Sequence, residues 1–387
     1  MRTKTRYVFL ITIAILLFLI TCSEVWNNSI DDEVSERTAL NTRQETSSEE
    51  ENKPAAASKN SGPVPVLIVS YMRSGSTFTA DVITSYPSSY YLFEPMKVTV
   101  EKLAKNSTIE LINGTRISRY NANALAADFL QSWLTCKFDG QDKEAVVKLI
   151  GTRSTTPFKI CLRKGKSNKN ETVLQTCLKI LQKQCESSKI RLVKEIRVGM
   201  RTTIAILLKK VPGLKVVHLL RDQRPRLLSA EKTPLMLHLT LQKTAKMECA
   251  DASDNLAVQK ELQQQYPGQL ETLLYERLAE NPILISKRIF DFLHLPFTAM
   301  SIEKIQSMTS STHEVPCPFC TSKKDSAKTA HAWRTRKSSN FVKIKMIEEE
   351  CEDIQTNLGY IPLKNMDELR NASFNLRINI PLTSDVL

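Results

Sequence analysis

Residues able to hold an anion crowd into one short segment, Arg73-Ser74-Gly75-Ser76-Thr77. Arginine offers a fixed fork of charge-assisted donors, and the hydroxyls of Ser76 and Thr77 add more. An uninterrupted apolar run (Val66 to Ser70) precedes the segment, and a helical stretch (Phe78 to Thr84) follows it. Strand, glycine-containing turn and helix together aim backbone N–H groups and a helix N-terminus at a phosphate. The competing reading is a ligand-free turn with Gly75 as an ordinary turn residue. The loop is not a Walker A motif. GxxxxGK[ST] is absent, and Arg73 stands before the turn where no lysine follows it, which weakens an NTPase or kinase reading.

A second segment has similar potential. Lys215 to Leu220 (KVVHLL) reads as another buried strand and runs into Arg221-Asp222-Gln223-Arg224-Pro225-Arg226. A helix carrying Ser229 is expected next. Arg221 and Ser229 lie eight residues apart and could meet on one anion. In open α/β sheets, ligands bind beyond the carboxyl ends of the strands, so both segments would address one crevice. Arg224 and Arg226 are expected to form a solvated basic turn. Apolar runs of this kind belong to parallel strands covered on both faces. The expected fold class is therefore α/β, a P-loop-like open parallel sheet flanked by helices.

The chain that must position these residues has 387 amino acids, 42% hydrophobic and 25% charged. Such a composition excludes a disordered or collagen-like molecule. Of the formal net charge of +13, residues 1–6 supply +3, residues 24–60 supply −5 and residues 61–387 supply +15. The folded body thus asks for a polyanionic partner. Val8 to Cys22 is a run of 15 uncharged, apolar residues preceded by Arg2, Lys4 and Arg6 and followed by acids. It is short of the ~20 residues that cross an average bilayer, yet its flanks obey the positive-inside rule. We read residues 1–6 as a cytosolic tail, 7–22 as a signal-anchor transmembrane helix and 23–62 as a disordered luminal stem. The catalytic domain is then 63–365 and a C-terminal extension 366–387. A cleaved signal peptide is the competing reading of the apolar run.

Two further signals place the body in an oxidising lumen. Sequons stand at Asn27, Asn106, Asn113, Asn170 and Asn371. Eight of the nine cysteines lie beyond the apolar run, an even number for which disulfides are the default. Cys317 and Cys320 have the spacing of a zinc half-site, but no second pair accompanies them, so a disulfide is preferred and no metal is expected. A luminal address excludes nucleic acid as the polyanion.

RSGSTF (Arg73 to Phe78) resembles the 5′-phosphosulfate loop of carbohydrate sulfotransferases, and VVHLLRDQRPRLLS (Val216 to Ser229) resembles their 3′-phosphate motif. YLFEP (Tyr91 to Pro95), VKEIR (Val193 to Arg197), LLYERLAENP (Leu273 to Pro282) and AWR (Ala332 to Arg334) occur in the same order as in that family. The nearest group is the Golgi galactose, N-acetylglucosamine and N-acetylgalactosamine 6-O-sulfotransferases. Gln223 departs from a usual proline and Arg277 from a usual aspartate, and residues 97–188 have no clear counterpart.

The resemblance implies a donor, 3′-phosphoadenosine 5′-phosphosulfate, and a Golgi membrane protein of type II orientation that sulfates a glycan or proteoglycan, neutral or already anionic. Arg73, the Ser74–Thr77 segment and Phe78 would cradle the 5′ side, while Arg221 and Ser229 would grip the 3′-phosphate. Trp333 and Arg334 would lie over the adenine or 3′-phosphate, unless they are core. None of the five histidines falls in these loops. Glu94, just past an apolar run, is the general base that the resemblance supports, with a helix-capping or salt-bridged glutamate as the alternative. Lys194 and Arg197 contact an anionic acceptor or donor sulfate, or else form a solvated face. A tyrosylprotein or heparan-type sulfotransferase, or a glycan-binding protein without turnover, are the rival functions.

Overall fold

The computed structural model describes residues 62–165, 171–233, 239–311, 321–336 and 340–378. The apolar segment, the stem, Asn27, Asn170, His238, His313, Cys317 and Cys320 lie outside them. Among the described residues no helix is long and apolar enough to cross a membrane.

Five parallel strands form the central sheet. In chain order they are β1 (Val64–Val69), β2 (Ser89–Phe93), β5 (Ile190–Glu195), β6 (Lys215–Leu220) and β7 (Leu270–Leu274). The intervening β3 (Ile109–Glu110) and β4 (Arg116–Ile117) form a small separate hairpin. The spatial order is β2-β5-β1-β6-β7, which puts β1 in the middle. Pro65 is tolerated in this central strand because of parity. Val64 and Ser70 donate toward β5 (to Lys189 O and Glu195 O), so the missing N–H of Pro65 points the other way. On that side β6 pairs only from Val66 onward.

Alternate strand residues feed the two faces. Leu67, Val69, Leu92 and Val193 join helix α2 (Ala122–Thr135), which contributes Phe129, Leu130 and Trp133. Val66, Ile68, Leu192 and Val217 face α1 (Ser76–Ile83) and α9 (Pro282–Phe292). Every residue of β6 and β7 is buried, the polar Lys215, His218, Glu271 and Thr272 included. The section lacking a family counterpart contains α3 (Thr156–Lys164) and α4 (Glu171–Glu186). Disulfides Cys161–Cys177 and Cys136–Cys185 staple α3 to α4 and α4 to the end of α2, both within that section.

Helices α5 (Ala205–Lys210), α6 (Gln223–Ala230), α7 (Leu241–Gln265) and α8 (Tyr275–Glu280) complete the surroundings of the strand ends. Phe341 to Leu358 carries two helices, α10 (Phe341–Glu350) and α11 (Glu352–Asn357). Cys351 sits at the break with φ −117° and is bonded to Cys249 of α7. The body also continues beyond residue 365. Leu369 and Leu376 pack with Trp333, Ile344 and Leu363.

Candidate active site

The donor loop connects the end of β1 to α1 through two left-handed residues, Arg73 (φ 65°) and Gly75 (φ 89°). Ser74 N–H closes the turn onto Tyr71 O at 3.1 Å. Glycine is required at 75 for a second reason: a Cβ there would stand 2.2 Å from Tyr275 Cδ2. The Tyr275 ring therefore lies directly on the loop, and Phe78 meets it edge-on at 6.4 Å. Ser74 is fully buried, and its hydroxyl has no partner among the described residues. Buried polar atoms are normally bonded, so this orphan inside a phosphate-type loop suits an anionic ligand. Ser76 is buried and Thr77 half-buried at the first turn of α1.

The structure brings the second segment onto this loop. Arg73 Nε donates to Ser229 Oγ at 3.0 Å, and Arg221 Nη1 donates to Arg73 O at 3.0 Å. The Arg221 guanidinium lies 4.2 Å from the Tyr275 ring centre. Its Nε is 3.8 Å from Glu276 Oε1 and makes no hydrogen bond. Burial, and then the adjacent Arg221 charge, push the Arg73 pKa down. Glu276 is itself held by Tyr360 Oη at 2.8 Å and by Asp222 N–H at 3.2 Å. Two guanidiniums thus stand together, with one carboxylate, Glu276, near Arg221.

Arg224 and Arg226 are not a solvated turn; both are fully buried. Asp222 caps α6 and pairs with Arg224 at 2.7 Å, and Glu348 adds a second carboxylate at 2.9 Å. Arg226 pairs with Glu248 and Gln223, and reaches Met72 O at 3.5 Å. Asp222 is local, but Glu248 of α7 and Glu348 of α10 come from farther along the chain, so the segment itself reads as an excess of positive charge. Gln223, the departure from proline, ties Arg221 O to Arg226.

Glu94 follows the edge strand β2 in a left-handed conformation, φ 47°. Its carboxylate bridges two cations, Lys194 Nζ at 2.5 Å and Arg197 Nη1 at 2.6 Å. Burial acts to raise its pKa, yet Lys194 and Arg197 outweigh that and hold the carboxyl below the usual range. The lowering comes from those two residues and not from Arg73. Lys194 and Arg197 form no solvated face: Lys194 is buried, 3.7 Å over the Phe93 ring, and both are committed to Glu94. Next to Lys194, Glu195 is fully buried and accepts from Met96 N–H at 2.7 Å. Burial pushes its pKa up to about 7.

Trp333 and Arg334 take the core alternative. Trp333 is buried with the C-terminal apolar cluster. The Arg334 guanidinium is spent on main-chain carbonyls of Glu368, Leu369, Asn371 and Phe374. His218 is likewise core, fully buried between Tyr71 Oη and Gln259. His294 and His331 bond Lys215 and Glu280. The sequons at Asn106, Asn113 and Asn371 are exposed. Among the described residues no three His, Cys, Asp or Glu side chains converge on a metal position. Tyr275, Glu276 and Glu195 escaped sequence reasoning. The first two lie inside LLYERLAENP, a segment noticed only as a match, and nothing local marks a tyrosine that covers a loop two hundred residues away.

A buried parallel sheet, an anion-accepting loop at the end of its central strand and a second cation at the next strand end define a phosphate-ester-binding α/β protein. The sequence matches the model of the sulfotransferase domain over residues 63–369. The chain belongs to the sulfotransferase family and is an enzyme of that class, dependent on 3′-phosphoadenosine 5′-phosphosulfate. It is 23% identical to mouse carbohydrate sulfotransferase 4 over 81% of this chain and 86% of the relative. It is 23% identical to human carbohydrate sulfotransferase 6 over 84% and 87%. Among solved structures, the sulfotransferase domain of the Synechococcus PCC 7002 olefin synthase aligns with TM-score 0.42 and 16% identity, covering 77% of this chain and 98% of that one. Mouse SULT7A1 complexed with PAP aligns with TM-score 0.36 and 10% identity, covering 74% and 83%.

Proposed function

We propose that this enzyme transfers the sulfuryl group of 3′-phosphoadenosine 5′-phosphosulfate to a sugar hydroxyl, the 6-O position of galactose, N-acetylglucosamine or N-acetylgalactosamine in a glycan or proteoglycan. The observation that carries the reading is the contact of Arg73 with Ser229 and of Arg221 with Arg73 O. Two motifs 148 residues apart make one cationic cradle with an orphan Ser74 hydroxyl inside it. The donor supplies an activated sulfuryl group on a phosphate leaving group, and the cradle suits such a doubly anionic nucleotide. Arg73, the Ser74–Thr77 amides and Ser74 Oγ would hold its 5′ side. Arg221 and Ser229 would hold the 3′-phosphate.

Glu94 is the general base in this reading. Its lowered pKa keeps it ionised at neutral pH, the form that accepts a proton, at the cost of making it a weaker base than a free carboxylate. When it takes the acceptor hydroxyl's proton, Lys194 and Arg197 lose their counter-charge. Their field then becomes available to the negative charge growing on the leaving group, a coupling that needs no movement. The three disulfides and the exposed sequons support a luminal body. Residues 7–22 would then anchor it to the Golgi membrane in type II orientation, with residues 23–62 as stem.

The test is transfer of labelled sulfate from the donor to sugars bearing terminal galactose, N-acetylglucosamine or N-acetylgalactosamine, alongside tyrosine peptides. Sulfated sugar that disappears when the 6-hydroxyl is blocked is the expected product. A labelled peptide, or nucleotide binding with no product, overturns the reading.

A further inference from the structure

Between the carboxyl ends of β1 and β5 lies a cavity of about 230 Å³, walled by Ser70, Tyr71, Arg197, Gly199 and, from α7, Asp251. It borders both parts of the site. Tyr71 closes the turn of the donor loop, and Arg197 reaches from the cavity wall to Glu94. Its two charged walls differ in what they have left to offer. Arg197 is already neutralised by Glu94. On α7, Glu248 is committed to Arg226 and Asp254 to Arg201. Asp251, between them, has no cation among the described residues. Its Oδ2 accepts from Asn255 Nδ2 at 3.0 Å, and the same amide donates to Tyr71 Oη at 3.1 Å. Asn255 therefore fixes the carboxylate against the residue that leads into the donor loop.

We propose that this cavity is the acceptor-sugar subsite and that Asp251 is its specificity-determining residue, accepting O–H donors from a neutral ring. The inference rests on the sulfotransferase reading above and adds the chemistry of the acceptor. The volume falls below the ~300–1,000 Å³ typical of drug-sized ligands, so the cavity suits one sugar ring rather than an oligosaccharide. An ionised carboxylate has acceptor sites only. It matches ring hydroxyls and repels a sulfate or carboxylate substituent on the same ring. An anionic group elsewhere on the glycan must then lie outside the cavity, over the basic surface.

The experiment compares the wild-type full chain with Asp251→Asn and Asp251→Ala. Probes are a disaccharide ending in galactose or N-acetylglucosamine, its 3-deoxy and 4-deoxy analogues, and 3′,5′-adenosine bisphosphate as donor-site probe. A hydrogen bond to a charged group is worth roughly tenfold or more in binding. Both variants should therefore raise the acceptor KM at least tenfold and leave the bisphosphate Kd within twofold of wild type. Removing the hydroxyl that Asp251 reads should cost the wild type about tenfold in kcat/KM and the Asn variant little. Equal losses in wild type and variant for both deoxy analogues, or an unchanged acceptor KM, overturn the inference while the sulfotransferase reading stands. Absence of any sugar sulfation by the wild type overturns both. A thermal melt of the Asn variant within a few degrees of wild type excludes misfolding as the cause.

Discussion

Gly75→Ala tests the donor cradle at its tightest point. The added Cβ meets Tyr275 Cδ2 at 2.2 Å and Cε2 at 2.5 Å, so the ring must retreat by more than 1 Å to reach ordinary van der Waals contact. That ring underlies the Arg221 guanidinium, 4.2 Å from its centre. A cation–π pair at a partly desolvated site is worth about 1–2 kcal/mol. Left-handed backbone (φ 89° at Gly75) costs an L-residue a further ~1–2 kcal/mol. If half of the combined ~2–4 kcal/mol falls on the ligand-competent loop, affinity for 3′,5′-adenosine bisphosphate drops by roughly 5- to 30-fold, at about 1.4 kcal/mol per factor of ten. Gly268→Ala is the matched control. Its φ is +70° and a Cβ there meets nothing within 4 Å, so it carries the backbone strain alone. Calorimetric titration of both variants should show lost affinity only at position 75, with thermal stability lowered in both. Affinity for the Gly75→Ala variant within twofold of wild type would refute the assignment of this loop and its tyrosine cover.

Glu94→Gln should retain the bisphosphate but lose at least ~100-fold in sulfate transfer, as removal of a general base does; near-normal turnover would exclude the base role. Arg224→Met should lower the unfolding free energy by about 3–5 kcal/mol in a denaturant titration, because it strands Asp222 as a buried acid without its cation and leaves Glu348 with Lys345 alone; a loss under 1 kcal/mol would show that Asp222 finds another partner. The last case is Glu195. Its pKa is raised from 4.5 to about 7 by burial, so the folded state binds the extra proton, and stability is highest below pH 4.5 and falls as pH rises through 7. Glu195→Gln should remove that fall, gaining up to ~3 kcal/mol on wild type at pH 8 relative to pH 4; parallel stability–pH curves would refute it.

What the sequence disclosed was contiguous or self-sufficient. Val66–Ser70 and Lys215–Leu220 could be read as strands because sheet residues buried on both faces cannot alternate with polar ones. Arg73 through Thr77 could be read as an anion loop because its donors, glycine and helix start are neighbours in the chain. The readings that the structure overturned concerned charge. Arg224 and Arg226 read as solvated because Glu348 and Glu248 lie 124 and 22 residues away, and nothing in the sequence shows that Asp222, two residues before Arg224, folds back onto it. Lys194 and Arg197 stand about a hundred residues from the glutamate that claims them. A run of like charges in sequence records nothing about the counter-charges that folding delivers. Trp333-Arg334 failed for a related reason: a motif can be shared for packing as readily as for ligand contact.

The clasp of Arg334 on the carbonyls of residues 368, 369, 371 and 374 bears on the order of events during biosynthesis. A chain growing from its N-terminus folds early elements first, and the five strands are complete by residue 274. The Arg334 guanidinium, buried in the finished protein, gains these acceptors only as residues 368 to 374 emerge. The nascent enzyme must therefore wait, sheet assembled and one flank open, for a segment synthesised a hundred residues after its last strand.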